Sequence, residues 1–537
     1  MRIALAQLNP IIGDLEGNQK AIREAIRQAK AAHADIVVTP ELAICGYPPQ
    51  DFVQQAHFVA QAAAAARALE AESSGILLAV GTIRMGPGTK PVRNSAAIFM
   101  DGVFHGYADK MLLPTYDVFD EARYFAEGSD PYLVTWRGHR VAITICEDIW
   151  GHAGRVQTRY ARDPVEELAR MSPNLCLNLS ASPFEMGKVG IREEVVLRAA
   201  QTLRCPVAYC NAVGAQDMLI FDGRSLLVTP ERVIYRAPAF EEGTFVTGLH
   251  PPHGETILID HPVEEVYHAL VLGIRDFCRK QNLHTAIIGV SGGIDSAVVL
   301  ALAVDALGPE AVFGVFMPSE VTSPLSYQCV RDLFDKIPCQ QREMRIDGPL
   351  DAFGELLHED MVGLVRENVQ ARIRGVLLMA LANRLAGIVL STGNKSELAM
   401  GYCTLYGDMA GGLAVLADVP KSLVYQLATF INRDKERIPV AIIDRPPTAE
   451  LRPNQLDSDQ LPPYSLIDEV VAAYLESNKS PERIAIERNL NVELVEEILQ
   501  RVHRNEFKRR QSPPGLRVTS KAFGIGRHFP IVQGFYR

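Results

Sequence analysis

The chain has 537 residues, 47% of them apolar and 22% charged, a balance too hydrophobic for a disordered protein and ordinary for a folded one of two to four domains. Lys and Arg number 54 against 64 Asp and Glu, a formal charge of −10, so no overall basic footprint for nucleic acid is present. Apolar stretches such as Ala297–Val304 fall well short of the roughly 20 residues that span a bilayer, and Met1-Arg2-Ile3-Ala4-Leu5-Ala6-Gln7 turns polar too soon for a secretory leader. The nine cysteines are scattered without a C-x-x-C pair, which argues against a zinc cluster or a disulfide framework and for a reducing cytoplasm.

From the start to about Pro238, short β-branched runs alternate with helical stretches: Ile3–Gln7, Ile36–Pro40, Ile76–Thr82, Ala96–Met100, Val141–Cys146, Leu175–Ser180, Val207–Asn211 and Leu226–Thr229. Strands interleaved with helices predict an α/β layered domain. The alanine-rich span Gln61–Ala71 is a helix by propensity. Around residues 238–263 the pattern breaks into Pro and Gly, as in a domain connection. A helix Val263–Lys280 follows, then strand Thr285–Val290, helix Ser296–Leu307, strand Val312–Pro318, helix Tyr327–Lys336, helix Asn368–Leu385 and strand Gly387–Thr392. Strand-then-helix order with crossover-sized connections predicts a doubly wound parallel sheet. The last 75 or so residues read as helical and charged, and no solenoid repeat is present.

Three segments of the first half put reactive side chains at or just after strand ends: Val37-Val38-Thr39-Pro40-Glu41, Asp109-Lys110-Met111-Leu112 and Ile143-Thr144-Ile145-Cys146-Glu147. A half-exposed thiol can act as a nucleophile, a carboxylate can take its proton, and an ammonium can stabilise charge growing on a carbonyl oxygen. Alone, Glu41 and Lys110 would be surface charges. Together, in this order, the segments resemble the nitrilase-like carbon–nitrogen hydrolases over about the first 240 residues. The resemblance implies an αββα sandwich with Glu41 as general base, Lys110 as oxyanion stabiliser and Cys146 as the acylated nucleophile, and a further loop carboxylate in Glu121. It also implies glutamine as the amide, with Tyr116, Ser182 and Lys188 holding it and Tyr47 walling the pocket. Ser180 reads as turn chemistry.

In the second half, strand Ala286-Ile287-Ile288-Gly289-Val290 runs through Ser291-Gly292-Gly293-Ile294-Asp295-Ser296 into an apolar helix. Paired glycines admit an anion close to the backbone, and the helix start offers N–H groups and positive potential. The lysine of G-x-x-x-x-G-K-[ST] and the G-x-G-x-x-G pattern are both missing. S-G-G-x-D-S in this setting resembles the pyrophosphate loop of ATP pyrophosphatases, enzymes that split ATP between its α and β phosphates, which implies ATP contacts along Gly289, Val290, Ser291, Gly292, Gly293, Ile294, Asp295 and Ser296. The segments Arg366–Arg374, Leu390–Glu397, Tyr406–Gly412, Asp418–Lys421 and Arg445–Leu451 then resemble the NAD synthetases, and with the amidase half the resemblance to their glutamine-dependent group covers nearly the whole chain. It implies that Thr392, Lys421 and Thr448 touch ATP, that Asp295 and Glu397 hold Mg²⁺, and that Asn368, Glu397, Asp408 and Lys508 lie against deamido-NAD. One departure stands out: where ammonia-dependent synthetases have a lysine before the Tyr/Phe-Gly-Asp turn, this chain has Leu405, with two extra residues before Gly411-Gly412.

The expected organisation is an amidase domain 1–245, a linker 246–262 and a synthetase domain 263–537. The expected activity is ATP-dependent amidation of deamido-NAD with ammonia from glutamine, in a cytoplasmic homo-oligomer that takes small-molecule substrates and neither nucleic acid nor membrane. The rivals are fusion to another pyrophosphatase (tRNA-modifying, GMP- or asparagine-type), opposed by the Asn368–Arg374 and Thr448 segments, and a non-enzymatic dinucleotide sensor, opposed by the complete set of reactive side chains. A nucleic-acid patch at Lys508-Arg509-Arg510 lacks interleaved aromatics.

Overall fold

The computed structural model describes residues 1–154, 156, 158–249 and 261–536. Contacts within the chain divide it into two units, Met1–Asp260 and His261–Arg537.

The first unit opens with β1 (Arg2–Gln7), β2 (Ile36–Val38), β3 (Leu77–Met85), β4 (Val92–Met100) and β5 (Val103–Asp109). It continues with β6 (Tyr132–Trp136), β7 (His139–Ile145), β8 (Leu175–Ser180) and β9 (Val207–Asn211), the hairpin β10 (Val213–Gln216) and β11 (Leu219–Asp222), then β12 (Leu226–Val228), β13 (Val233–Arg236) and β14 (Gly243–Gly248). Two six-stranded sheets result, in the orders β14-β1-β2-β3-β4-β5 and β13-β12-β9-β8-β7-β6. Side chains alternate across a strand, and here both faces are apolar. Ile3, Leu5, Ile36, Val38, Leu77 and Ala79 of the first sheet meet Val141, Ile143, Leu175 and Leu177 of the second in one core. The intervening Ala4, Val37, Leu78 and Val80 face helices Leu15–Ala31 and Ala56–Arg67. On the far side, Ala142, Cys176, Val207 and Tyr209 pack against helix Lys188–Leu203 through Val195, Val196, Ala199 and Leu203. The layering is αββα.

Three departures from the expected elements have physical reasons. The alanine helix is Ala56–Arg67 rather than Gln61–Ala71: Phe58 and Val59 anchor its first turn in the core, whereas composition weighed only the alanines. The expected linker's first residues, 246–248, belong to β14, which pairs antiparallel with β1 from Arg2↔Gly248 to Gln7↔Gly243 and takes the edge position beside that buried strand. Most of the remaining expected linker, 250–260, lies outside the described residues. The third is the end of the chain, where helices run as far as Arg509 and residues 511–536 form no helix or strand.

In the second unit, β15 (Ala286–Gly289), β16 (Val312–Phe316), β17 (Gln340–Glu343), β18 (Ile388–Ser391) and β19 (Leu413–Ala414) form one parallel sheet in the order β17-β16-β15-β18-β19. The direction of winding reverses between β15 and β18, the switch point at which open α/β sheets bind ligands. Helix Ile294–Leu307 is apolar nearly all round because it packs between the sheet and helices Pro262–Lys280 and Lys421–Ile431. Helices Asp347–Leu357 and Leu364–Leu385 cover the opposite face through Leu350, Ile373 and Leu381. A separate apolar cluster joins helices Tyr464–Ser477, Pro481–Arg488 and Val492–Arg504.

Candidate active sites

In the first unit the end of β2 delivers Glu41, which is 1% exposed. Its Oε1 accepts from Asn94 Nδ2 and from Lys110 Nζ, each at 2.7 Å, and its Oε2 accepts from the Ala181 N–H at 3.2 Å. Lys110 also donates to Glu121 Oε1 at 2.7 Å, and the Tyr47 hydroxyl donates to the same oxygen at 2.9 Å. The lysine therefore lies between two buried carboxylates. Burial alone would push its ammonium down, but Glu121 and Glu41 outweigh that and hold it charged, well above the usual lysine range. Burial pushes the Glu121 carboxyl up to about 7 even against Lys110, with Glu41 adding to the rise.

Cys146 ends β7 at φ +41°, a backbone conformation costly for a residue with a Cβ and imposed by the turn into Glu147–Trp150. Burial and then Glu41 push its thiol well above the ordinary value, while Lys110 pulls the other way. Those groups, with Glu147 and Glu121, are its charged neighbours. Glu41, the carboxylate expected to take its proton, is thus among the groups that act on the thiol.

The expected glutamine-holding residues occupy the same unit. Tyr116 donates to Glu147 at 3.2 and 3.1 Å, Ser182 is buried with its N–H on Asn211 Oδ1 at 2.9 Å, and Lys188 donates to the Pro183 carbonyl at 3.2 Å with its ammonium 5.2 Å from the Trp150 ring centre. Sequence reasoning missed Asn94, Glu147, Asp148 and Tyr160. Buried Asp148 accepts from the N–H groups of Met111, Leu112 and Ile145 at 2.9–3.0 Å, so it ties the loop after Lys110 to the residue before Cys146. Glu147 accepts from Tyr160 at 2.9 Å as well as from Tyr116, and burial pushes it up to about 7. Position next to the nucleophile could have flagged Glu147 and Asp148. Asn94 left a fainter sign, a polar residue leading into the apolar run of β4.

In the second unit a cavity of about 270 Å³ opens at the switch point, lined by Gly289, Val290, Ser291, Gly293, Ile294, Asp295 and Ser296 after β15 and by Thr392 and Glu397 after β18. Asp408, Lys421 and Thr448 line it too. Gly292 has φ +81°, and a Cβ there would meet the Ser326 carbonyl oxygen at 3.1 Å, so the loop both turns and packs closely at that residue. Ser291 Oγ accepts from the Gly293 N–H at 3.2 Å and Ser296 Oγ donates to the Gly293 carbonyl at 3.0 Å. The helix begins at Ile294 rather than the expected Ser296, which places Asp295 and Ser296 in its first turn.

Lys421 Nζ donates to Asp295 Oδ2 and lies 3.5 Å from Glu397 Oε1. Burial and Asp295 push the Glu397 carboxyl up to about 8 against the pull of Lys421. Asp457, which the sequence did not suggest, adds a third carboxylate; its Oδ2 accepts from Tyr464 at 2.8 Å, and Tyr402 is a further neighbour of the group. Arg374, donating to the Met317 carbonyl at 3.0 Å, is a further wall of the cavity absent from the sequence reading. Among the described residues no group of three or more His, Cys, Asp or Glu could hold a metal by itself. The pair Asp295 and Glu397 still fits Mg²⁺, a hard ion that takes one or two carboxylates and completes its shell with phosphate oxygens and water.

The four expected dinucleotide residues gather on one turn, 401–408. Asn368 accepts from the Thr404 hydroxyl at 2.8 Å, Asp408 accepts from the Thr404 N–H at 2.7 Å, Lys508 donates to the carbonyls of Gly401 and Cys403 at 2.8 and 2.9 Å, and the Glu397 carbonyl accepts from the Tyr402 N–H at 3.0 Å. Glu397 and Asp408 also line the cavity. Lys508 thus belongs to a folded helix end rather than to a loose basic tail. Leu405 packs onto an apolar cluster of Leu398, Met409, Ala414 and Ala417.

A carbon–nitrogen hydrolase family model matches residues 2–253, and an NAD synthase model matches residues 266–512. The glutamine-dependent NAD(+) synthetase of Synechocystis sp. is 43% identical over 99% of this chain and 99% of its own length, and that of Acinetobacter baylyi is 38% identical over 99% and 98%. Among solved structures, the glutamine-dependent NAD+ synthetase of Acinetobacter baumannii in complex with ADP superposes with a TM-score of 0.78 at 35% identity, covering 99% of this chain and 98% of that one. The enzyme from Cytophaga hutchinsonii, at 20% identity, shares the fold with a TM-score of 0.83 over 99% and 98%. Two family models that together span most of the chain and relatives matched from end to end lead to one conclusion: the chain belongs to the glutamine-dependent NAD(+) synthetases, ATP-dependent ligases that convert deamido-NAD to NAD with nitrogen from glutamine.

Proposed function

We propose that the reaction is divided between two sets of side chains, Glu41, Lys110 and Cys146 releasing ammonia and the cavity around residues 289–296 using it. The observation that carries the first half is the chain Glu41–Lys110–Glu121 beside a buried cysteine. Glu41 takes the Cys146 proton as sulfur attacks the glutamine amide carbon, Lys110 faces the oxyanion, and Glu41 returns the proton to the departing nitrogen, leaving a γ-glutamyl thioester and ammonia. Water, losing a proton to Glu41, then frees glutamate and the thiol. Glu121 and Tyr47 keep Lys110 aimed, while Tyr116, Ser182 and Lys188 hold the amino acid end.

In the second half the loop 289–296 binds the ATP phosphates through backbone N–H groups, helped by the start of the helix at Ile294. Thr392, Lys421 and Thr448 complete the ATP contacts. Asp295 and Glu397 would hold Mg²⁺, which neutralises phosphate charge when bound. Lys421 stabilises charge at the α-phosphate as the nicotinate carboxylate of deamido-NAD attacks it and pyrophosphate leaves. Ammonia passed from the glutaminase site then attacks the activated carbonyl, and AMP leaves. Asn368, Glu397, Asp408 and Lys508 shape the dinucleotide side through the turn 401–408.

The proposed domains are 1–245 and 263–537, joined by 246–262, with β14 extending the first to residue 248. Nine free cysteines suit a cytoplasmic setting. No helix among the described residues is long and apolar enough to cross a membrane. The net charge of −10 disfavours nucleic acid as a partner. A homo-oligomer is supported by exposed Phe353, Leu356, Val362, Leu364 and Val376 on and between the helices over the sheet. The test is a quenched glutamine reaction in which mass spectrometry finds the γ-glutamyl group on Cys146, run beside AMP release with deamido-NAD against other carboxylate acceptors. A thioester on another cysteine, or equal AMP release with every acceptor, would overturn the assignment.

A further inference from the structure

Asn394 is wholly buried and stands where β18 hands the chain to helix Lys395–Met400. Its side chain is used at both ends. Nδ2 donates to Asp295 Oδ1 at 2.9 Å, and Oδ1 accepts from the Glu397 N–H at 2.9 Å. Its own N–H donates to Glu397 Oε2 at 3.3 Å, which closes a capping box. Asp295 leaves the sheet after β15 and Glu397 after β18, so this single side chain is a strut across the switch point. Lys421 touches the same two carboxylates.

Capping a helix accounts for only half of these bonds. A cap needs an oxygen that accepts from the N3 amide, which serine supplies as well as asparagine. The bond to Asp295 needs a donor at the end of a side chain that is accepting at the same time, and a short amide meets both demands. A carboxylate left without that donor would keep only its bond to Lys421 and could turn about it. Groups that orient metal-holding side chains typically govern metal affinity by a factor of ten or more.

We propose that Asn394 is the positioning residue of the cation site, fixing the spacing and direction of Asp295 and Glu397 so that both present oxygens to one ion. The proposal rests on the reading of those two carboxylates as the holders of Mg²⁺. Asn394→Ser separates its two duties, because a serine hydroxyl still caps the helix and is too short to reach Asp295.

The full-length chain is titrated with Mn²⁺ alone and followed by electron paramagnetic resonance. Asn394→Ser is expected to raise the Mn²⁺ dissociation constant about tenfold, with glutaminase activity and melting temperature unchanged. The Mg²⁺ midpoint of ammonium-driven NAD formation should rise in parallel and kcat return at high Mg²⁺. Asp295→Asn is the reference variant. If it binds Mn²⁺ as the parent does, the cation reading itself fails. If it loses Mn²⁺ while Asn394→Ser keeps the parental constant, the cation reading stands and the positioning role is overturned. A lower melting temperature with an unchanged Mn²⁺ constant, or a kcat loss that excess Mg²⁺ does not restore, would also overturn it and leave Asn394 a helix cap.

Discussion

The two reactive centres set a lysine between carboxylates in different surroundings. In the first unit Lys110 is flanked by Glu41 and Glu121 at 2.7 Å, all three nearly inaccessible to solvent. In the second, Lys421 meets Asp295 and Glu397, whose side chains are 17% and 19% exposed, in a cavity that Asp457, Arg374 and Arg445 also line. The first centre is built to wait for a neutral amide, which needs no counter-charge. The second leaves its carboxylates open to the cavity, where a cation that arrives with the substrate can reach them.

Removing the nucleophile tests this contrast most severely. Cys146→Ala should abolish glutamine-driven NAD formation, a fall of at least about 10⁴, while ammonium supports the parental rate; loss of both activities would show that the centres are not separable. The next largest effect is expected of Asp295→Asn, which takes a charge from the cation side. Pyrophosphate release should drop by roughly 10²–10³ and glutaminase activity survive, and an unaltered Mg²⁺ requirement would refute the assignment of Asp295 to the cation. Lys508→Ala should raise the KM for deamido-NAD about tenfold through loss of the bonds that hold Gly401 and Cys403, with the KM for ATP moving far less. Equal constants in variant and parent would detach the turn 401–408 from dinucleotide binding.

The smallest effect is one of stability. Burial raises Glu147 from its ordinary 4.5 to about 7, so the folded chain holds more protons than the unfolded one between those values. Stability contributed there is full below pH 4.5 and is lost as pH rises toward 7 and beyond, at most about 3 kcal/mol. Glu147→Gln keeps an acceptor for Tyr116 and Tyr160 and should flatten the decline in melting temperature from pH 5 to 8. The slope shrinks without vanishing, because Glu121 and Asp148 are raised by burial in the same direction. An unchanged slope would mean that Glu147 carries no burial penalty.

What could be read in advance follows from where the physics is local. Strand ends that eject Glu41 and Cys146, and a loop as constrained as Ser291–Ser296, announce themselves because one short segment holds both the fold signal and the chemistry. Edge strands such as β5, β6 and β13 did not, since half-exposed strands lack a continuous apolar run. Asn94, Asn394 and Asp457 were invisible for another reason. Each earns its role only when a distant element brings its partner, 53 residues away for Asn94 and Glu41 and 99 for Asn394 and Asp295. Spacing within one segment carries no trace of such pairs.

The pairing of β14 with β1 fixes where the chain can be cut. A glutaminase fragment ending at residue 245 would keep Gly243, Thr244 and Phe245 opposite Gln7, Ala6 and Leu5 and strip the partners from Ala4, Ile3 and Arg2. Half of the first strand would then offer open N–H and C=O groups to any neighbouring molecule, the ordinary route to edge-to-edge aggregation. A fragment carried through residue 249 keeps the buried strand β1 paired along its whole length and leaves the half-exposed β14 at the edge.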